Sequence, residues 1–262
     1  MKTTLLTNML ATLLFVTASA TAIAEETPAD ANVLPEHRAS IKAKPAKRGW
    51  DYDMRRITPI HGDAAAGEAK TTICVACHGP KGNSTVGLFP QLAGQRAEYL
   101  YGRLLDFQDS DEALPYYQAV LPMPQQAREM SDTDLRNIAA YFAAQVPAPT
   151  LPPTSTANIK QGEHLYLHGD PTRGIPPCQG CHGTYAEGGP TGGGSQYLAY
   201  PALHGQHAVF IADRLLHYRE MGGWPRFSSD DAIMHGVAVT LSDEDMKAIA
   251  NYLASLEPNS SR

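Results

Sequence analysis

Cys74-Val75-Ala76-Cys77-His78 and Cys178-Gln179-Gly180-Cys181-His182 use all four cysteines of the chain, and each sets a histidine directly after the pair. Two thiols three residues apart can form thioethers with both vinyl groups of one porphyrin, and the next residue then points its imidazole at the iron. C-x-x-C-H is therefore the attachment signal for c-type haem. A C-x-x-C alone also suits a zinc ribbon, a redox dithiol or a structural disulfide. Zinc wants four ligands per ion, a dithiol does not need the histidine, and four cysteines allow three disulfide pairings. Two complete motifs with no cysteine left over favour two covalently bound haem c groups.

The predicted compartment agrees with that chemistry. Residues 1–24 begin Met1-Lys2, run apolar through Leu13-Leu14-Phe15-Val16 and end Ala22-Ile23-Ala24 before Glu25-Glu26, which reads as a cleaved secretory signal peptide. An uncleaved anchor is the other reading, but the stretch is short and broken by polar residues. The expectation is a soluble mature protein in a bacterial periplasm. About 238 residues remain, enough for two small domains with one haem each.

An internal repeat supports the division. Phe89-Pro90-Gln91-Leu92-Ala93-Gly94-Gln95 matches Tyr200-Pro201-Ala202-Leu203-His204-Gly205-Gln206 at an offset of 111 residues. Tyr99 to Phe107 matches Phe210 to Tyr218 at the same offset, and both read as helices. Ser131-Asp132-Thr133-Asp134 matches Ser242-Asp243-Glu244-Asp245, each a serine with an acid three residues on, the start of a capped helix. The helices that follow carry apolar residues at i, i+3, i+4 and i+7: Leu135, Ile138, Ala139 and Phe142, then Met246, Ile249, Ala250 and Leu253. These are core stripes. Pro147, Pro149, Pro152 and Pro153 stiffen the connector between the halves. The predicted organisation is all-α: a domain at 59–146, a linker at 147–158 and a second domain at 159–257.

The repeat also nominates a second axial ligand for each iron. A methionine thioether is a common partner of histidine in electron-transfer haems and raises the reduction potential. Met123 and Met234 stand at the offset of 111, each eight residues before its helix-starting serine. Met130, Met221 and Met246 read instead as core fillers. His204, His207, His217 and His235 compete as ligands, but none has a matching histidine in the first half.

With these motifs in place, residues 60–257 resemble the di-haem class I cytochromes of the cytochrome c4 type. The resemblance rests on both C-x-x-C-H motifs, both aromatic-Pro-x-Leu-x-Gly-Gln segments, the two methionines ahead of a Ser-Asp helix start, and the closing stretches at Tyr141-Phe142 and Tyr252-Leu253. It implies two tandem class I cytochrome c domains, each a small helical fold around one haem and facing the other through a pseudo-twofold. It further implies that the Pro90 and Pro201 carbonyls accept hydrogen bonds from His78 and His182, and that Leu92 and Leu203 pack on the porphyrins. Gly67 and Gly162 would let the helices leading to each haem motif cross closely against Tyr141 and Tyr252.

Three features depart from the pattern: extra residues around Leu167 to Pro177, a glycine-rich stretch from Gly188 to Gly194, and an extension at 25–58. The first two read as surface loops able to shape the edge of one haem. Between 38 and 56 the extension carries seven basic side chains against two acidic ones, whereas the chain from 57 onward has 13 basic and 21 acidic. It reads either as a flexible tail or as a segment that docks on an acidic partner or an anionic membrane surface, or folds back on the acidic haem domains. Nucleic acid is not an expected partner.

The expected function is electron transfer rather than catalysis, since histidine and methionine would close both axial positions. Expected partners are a quinol-oxidising complex or copper protein upstream and a terminal oxidase downstream. The alternatives are a di-haem oxidoreductase, which needs one open iron, and an electron-accepting subunit of a larger dehydrogenase.

Overall fold

Serine hydroxyls open the closing helix of each half in the same way. In a computed structural model, which describes residues 59–108, 123–189, 200–220 and 229–258, Ser131 Oγ accepts from Asp134 N at 3.2 Å and Asp134 Oδ2 accepts from Ser131 N at 3.1 Å. Ser242 and Asp245 repeat this capping box at 3.2 and 3.0 Å. Each box satisfies two helix-end N–H groups that otherwise face no partner.

The helices of the first half are α1 (Ala64–Glu68), α2 (Val75–His78), α3 (Ala97–Gln108), α4 (Met123–Arg128) and α5 (Asp132–Ala143). Those of the second are α6 (Ile159–His168), α7 (Gln179–His182), α8 (Ala208–Glu220), α9 (Ser229–Ala238) and α10 (Asp243–Ser255). Among the described residues there is no strand, and none of these helices is long and apolar enough to cross a membrane. The signal peptide, the basic extension, Met221 and residues 190–194 of the glycine-rich stretch lie outside the described residues.

Two separate cores form. Leu105, Leu135, Ile138 and Phe142 meet in the first half, with Met130 packed against them. Leu165, Ile175, Met246 and Leu253 meet in the second. In each half the first helix crosses the last at a glycine. A Cβ at Gly67 would stand 2.1 Å from Asn137 O and 2.9 Å from Tyr141 Cβ; at Gly162 it would stand 2.0 Å from Ala248 O and 2.9 Å from Tyr252 Cβ. Only hydrogen fits at either crossing.

The extra residues after α6 are more than a surface loop. Asp170 and Ile175 exchange both backbone hydrogen bonds at 2.9 Å, and Ile175 is buried in the second core. Arg173 joins this loop to the head of α10, reaching Asp245 at 2.7 Å and Asp170 at 2.6 Å.

The halves meet through named contacts. Half-buried Arg103 of α3 lies 2.9 Å from both Asp106 and, across the interface, Asp231 of α9. His207 Nε2 donates to Ser84 O at 3.1 Å. Gln95 and Gln206 each clasp the backbone of the opposite half.

Gly162→Ala forces α6 off α10 and is expected to cost about 1–3 kcal/mol, the ordinary penalty for overpacking; urea unfolding followed by far-ultraviolet circular dichroism measures it, and an unchanged midpoint would refute the close crossing.

Candidate functional site

Both C-x-x-C-H motifs fold as one helical turn. Cys74 and Cys178 precede α2 and α7 with φ/ψ of −66/−38° and −64/−33°, and the following glycines leave the helix at positive φ, Gly79 at 73° and Gly183 at 83°. A single turn brings positions 1 and 4 of the motif to one side, and the glycine then redirects the chain without a Cβ penalty.

His78 and His182 are buried, with relative exposures of 6% and 8%. His78 Nδ1 lies 3.0 Å from Pro90 O, and His182 Nδ1 lies 3.1 Å from Pro201 O. A carbonyl oxygen can only accept, so Nδ1 carries the proton in each ring and Nε2 keeps its lone pair. Burial pushes both imidazoles below their ordinary pKa, and the carbonyls oppose it only in part. The rings are therefore held neutral, the state that binds a metal. Phe89 and Tyr200 stand against them at ring-centroid separations of 6.3 and 6.2 Å.

The proline carbonyls are aimed by the backbone around them. Leu92 N and Ala93 N both donate to Gly82 O, at 2.9 and 3.2 Å; Leu203 N and His204 N both donate to Ala186 O, at 2.7 and 3.1 Å. Two residues further on, Gly94 N donates to Phe142 O and Gly205 N to Leu253 O, each at 3.0 Å. The segment is thus tied at one point to the loop after the haem motif and at another to the closing helix. In the second half Tyr166 adds a buried hydroxyl that donates to Gly183 O at 2.6 Å. Its counterpart by position from the crossing glycine is Thr71, which bonds Glu68 O at 2.9 Å instead.

The donor set fits haem c. The four cysteines are unpaired and partly exposed. Burial raises the Cys74 thiol and pushes that of Cys178 up to about 11. A reactive redox dithiol needs the opposite shift, toward thiolate. Among the described residues no three His, Cys, Asp or Glu side chains converge as a metal cluster, so nothing beside either pair completes a four-ligand zinc site. Leu92 and Cys74 pack against the first core, and Leu203, Cys178 and Met234 against the second. Met234 lies within α9, and Met123 is the first residue of α4, half-buried.

Two of the four competing histidines have other engagements. His207 serves the interface, and His235 Nδ1 lies 2.7 Å from Tyr218 O. The sequence did not point to the Arg103 ion pairs or to the interface role of Gln95 and Gln206. Conspicuous in hindsight is that the motif glutamine recurs at the offset of 111 although no haem contact is assigned to it.

Comparison with known proteins agrees with this geometry. The cytochrome c family model matches residues 64–144 and 160–257. The chain is similar to cytochrome c4 of Thiocapsa roseopersicina, 39% identical over 200 residues, spanning 76% of this chain and 95% of that protein. It is also similar to the thiosulfate dehydrogenase electron acceptor of Thiomonas intermedia, 33% identical over 195 residues, with 73% and 82% covered. Among solved structures, reduced recombinant cytochrome c4 from Pseudomonas stutzeri superposes with a TM-score of 0.64 at 37% identity, covering 75% of this chain and 100% of that one.

Replacing Cys178 and Cys181 together by serine is expected to halve the haem bound per chain, read by the pyridine haemochrome assay and intact mass. Retention of both haems would sink the assignment of the second motif.

Proposed function

Because the chain belongs to the cytochrome c4 family and carries two covalently bound haem c groups, on Cys74 with Cys77 and on Cys178 with Cys181, we propose that it relays single electrons between respiratory proteins in the periplasm. The observation that carries this reading is the same arrangement built twice: a buried histidine with its Nδ1 on a proline carbonyl, and a methionine in register further along. Haem, when bound, supplies the one-electron couple of its iron.

The chain's residues do the rest. His78 and His182 present Nε2, and the Pro90 and Pro201 carbonyls hold the tautomer and make each ring a stronger donor. Met123 and Met234 would supply the thioethers that complete each iron's ligand set, soft ligands that would favour the reduced state. With histidine and methionine both bound, a substrate would find no open coordination site, and the fold's task would be to exclude water from the haem. Leu92 and Leu203, packed against the two cores, would lie against the porphyrins. Pairing the two halves through Gln95, Gln206 and Arg103 holds the haem domains in one orientation, so an electron entering one can leave by the other.

A quinol-oxidising complex or copper protein upstream and a terminal oxidase downstream are the partners of this relay. The basic segment at 38–56 lies outside the described residues; beside the reading as a tail, its charge would draw it to an acidic partner or an anionic membrane. A second reading has the chain accept electrons from a dedicated dehydrogenase, and the similarity to the thiosulfate dehydrogenase electron acceptor favours it. Rapid mixing separates the two: reduction by thiosulfate dehydrogenase with its substrate, outpacing reduction by the quinol-oxidising complex, selects the second.

Ligation is tested by absorption spectroscopy. The purified protein is expected to hold two low-spin haems, with the near-infrared methionine-to-ferric-iron band falling by half in either Met123→Ala or Met234→Ala, each variant gaining one carbon monoxide site. A high-spin haem or carbon monoxide binding in the unsubstituted protein would overturn the relay in favour of an enzyme.

A further inference from the structure

The peptide group that receives each axial histidine is held at its other end by the opposite domain. Pro90 C=O, which accepts from His78 Nδ1, shares one planar amide with Gln91 N–H. That N–H donates to Gln206 Oε1 at 2.9 Å. The arrangement is reciprocal: Pro201 C=O accepts from His182 Nδ1, and the same amide's N–H, on Ala202, donates to Gln95 Oε1 at 2.9 Å. Each glutamine closes a second bond to the carbonyl of the same residue, Gln206 Nε2 to Gln91 O at 3.1 Å and Gln95 Nε2 to Ala202 O at 2.8 Å. Gln91, Gln95 and Gln206 are each 7% exposed, so water does not compete for these bonds.

We propose that Gln206 and Gln95 are positioning residues that tune the haem of the other domain, Gln206 acting on the haem of Cys74 and Cys77 and Gln95 on that of Cys178 and Cys181. The inference rests on His78 and His182 being the axial ligands. An acceptor on an amide N–H draws electron density along the amide toward its oxygen, and bonds in such a chain strengthen one another. The proline carbonyl then pulls harder on the Nδ1 proton, the imidazole becomes more electron-rich at Nε2, and the ferric state is stabilised. Gln206 therefore lowers the potential of the first haem and Gln95 that of the second. Simple adhesion between domains would carry no such crossing.

The test is domain-resolved redox titration of the holoprotein, following haem-methyl proton resonances assigned to each domain. Gln206→Leu is expected to raise the midpoint potential of the first haem and leave the second in place; Gln95→Leu is expected to do the reverse. Joint movement of both haems, a shift in the substituted domain's own haem, or no shift would overturn the proposal. Gln206→Glu keeps an acceptor oxygen for Gln91 N–H and is expected to hold the first haem at or below its original potential; a rise would overturn the proposal even if the leucine variants fail to load haem. Failure of the ligand reading is distinguishable, because the unsubstituted protein would then lack hyperfine-shifted histidine resonances from the two domains.

Discussion

A buried imidazole that offers one nitrogen to a metal must have its other nitrogen satisfied, and in this protein a proline carbonyl does so in each half. Most of the surrounding structure is explained by what it takes to hold that carbonyl still. Proline fixes φ and has no N–H of its own. The residues after it are bonded to Gly82 or Ala186 and then to the end of α5 or α10. Those closing helices are in turn seated by glycine crossings with α1 and α6 and started by the two capping boxes. The placement of each buried histidine is thus inherited from the helix pair.

The same segment forms the seam between domains. The amide that serves the histidine faces a glutamine of the other half, so the support of the imidazole and the pairing of domains use one set of atoms. This is economical in a two-haem carrier, because an interface that loosened would also disturb the carbonyl. The cluster of Arg103 with the buried carboxylates Asp106 and Asp231 lies elsewhere on the seam. Desolvation opposes its guanidinium charge, but the carboxylates outweigh it and hold Arg103 firmly protonated. Such a pair adds little net stability over apolar packing and much specificity, since a mispaired interface would strand a charge.

Symmetry is broken where the second half carries additional chain. The loop at 170–175 inserts Ile175 into the core and uses Arg173 to grip Asp245, the residue that closes the α10 capping box. Tyr166 reaches the carbonyl after His182, whereas Thr71 bonds within its own turn. The second haem motif thus carries a brace, from Tyr166, that Thr71 does not supply in the first.

Much was legible in the sequence because it is local or periodic. C-x-x-C-H spacing, the 3.6-residue stripes, the serine caps and the offset of 111 depend on residues near one another in the chain, and they were enough for the fold class, the cofactor and the family. Ile175 read as part of a surface loop, since nothing local marks it as core. His207 read as a spare ligand, since its partner Ser84 is 123 residues away. Gln95 and Gln206 read only as motif letters. Hydrogen bonds and ion pairs across the seam join residues more than a hundred positions apart, such as Arg103 and Asp231. No spacing rule relates such residues. The sequence by itself determined two haem-bearing helical units; the tertiary structure alone decided how each is tied to the other, because only packing brings the amide of one half within hydrogen-bond reach of a glutamine in the other.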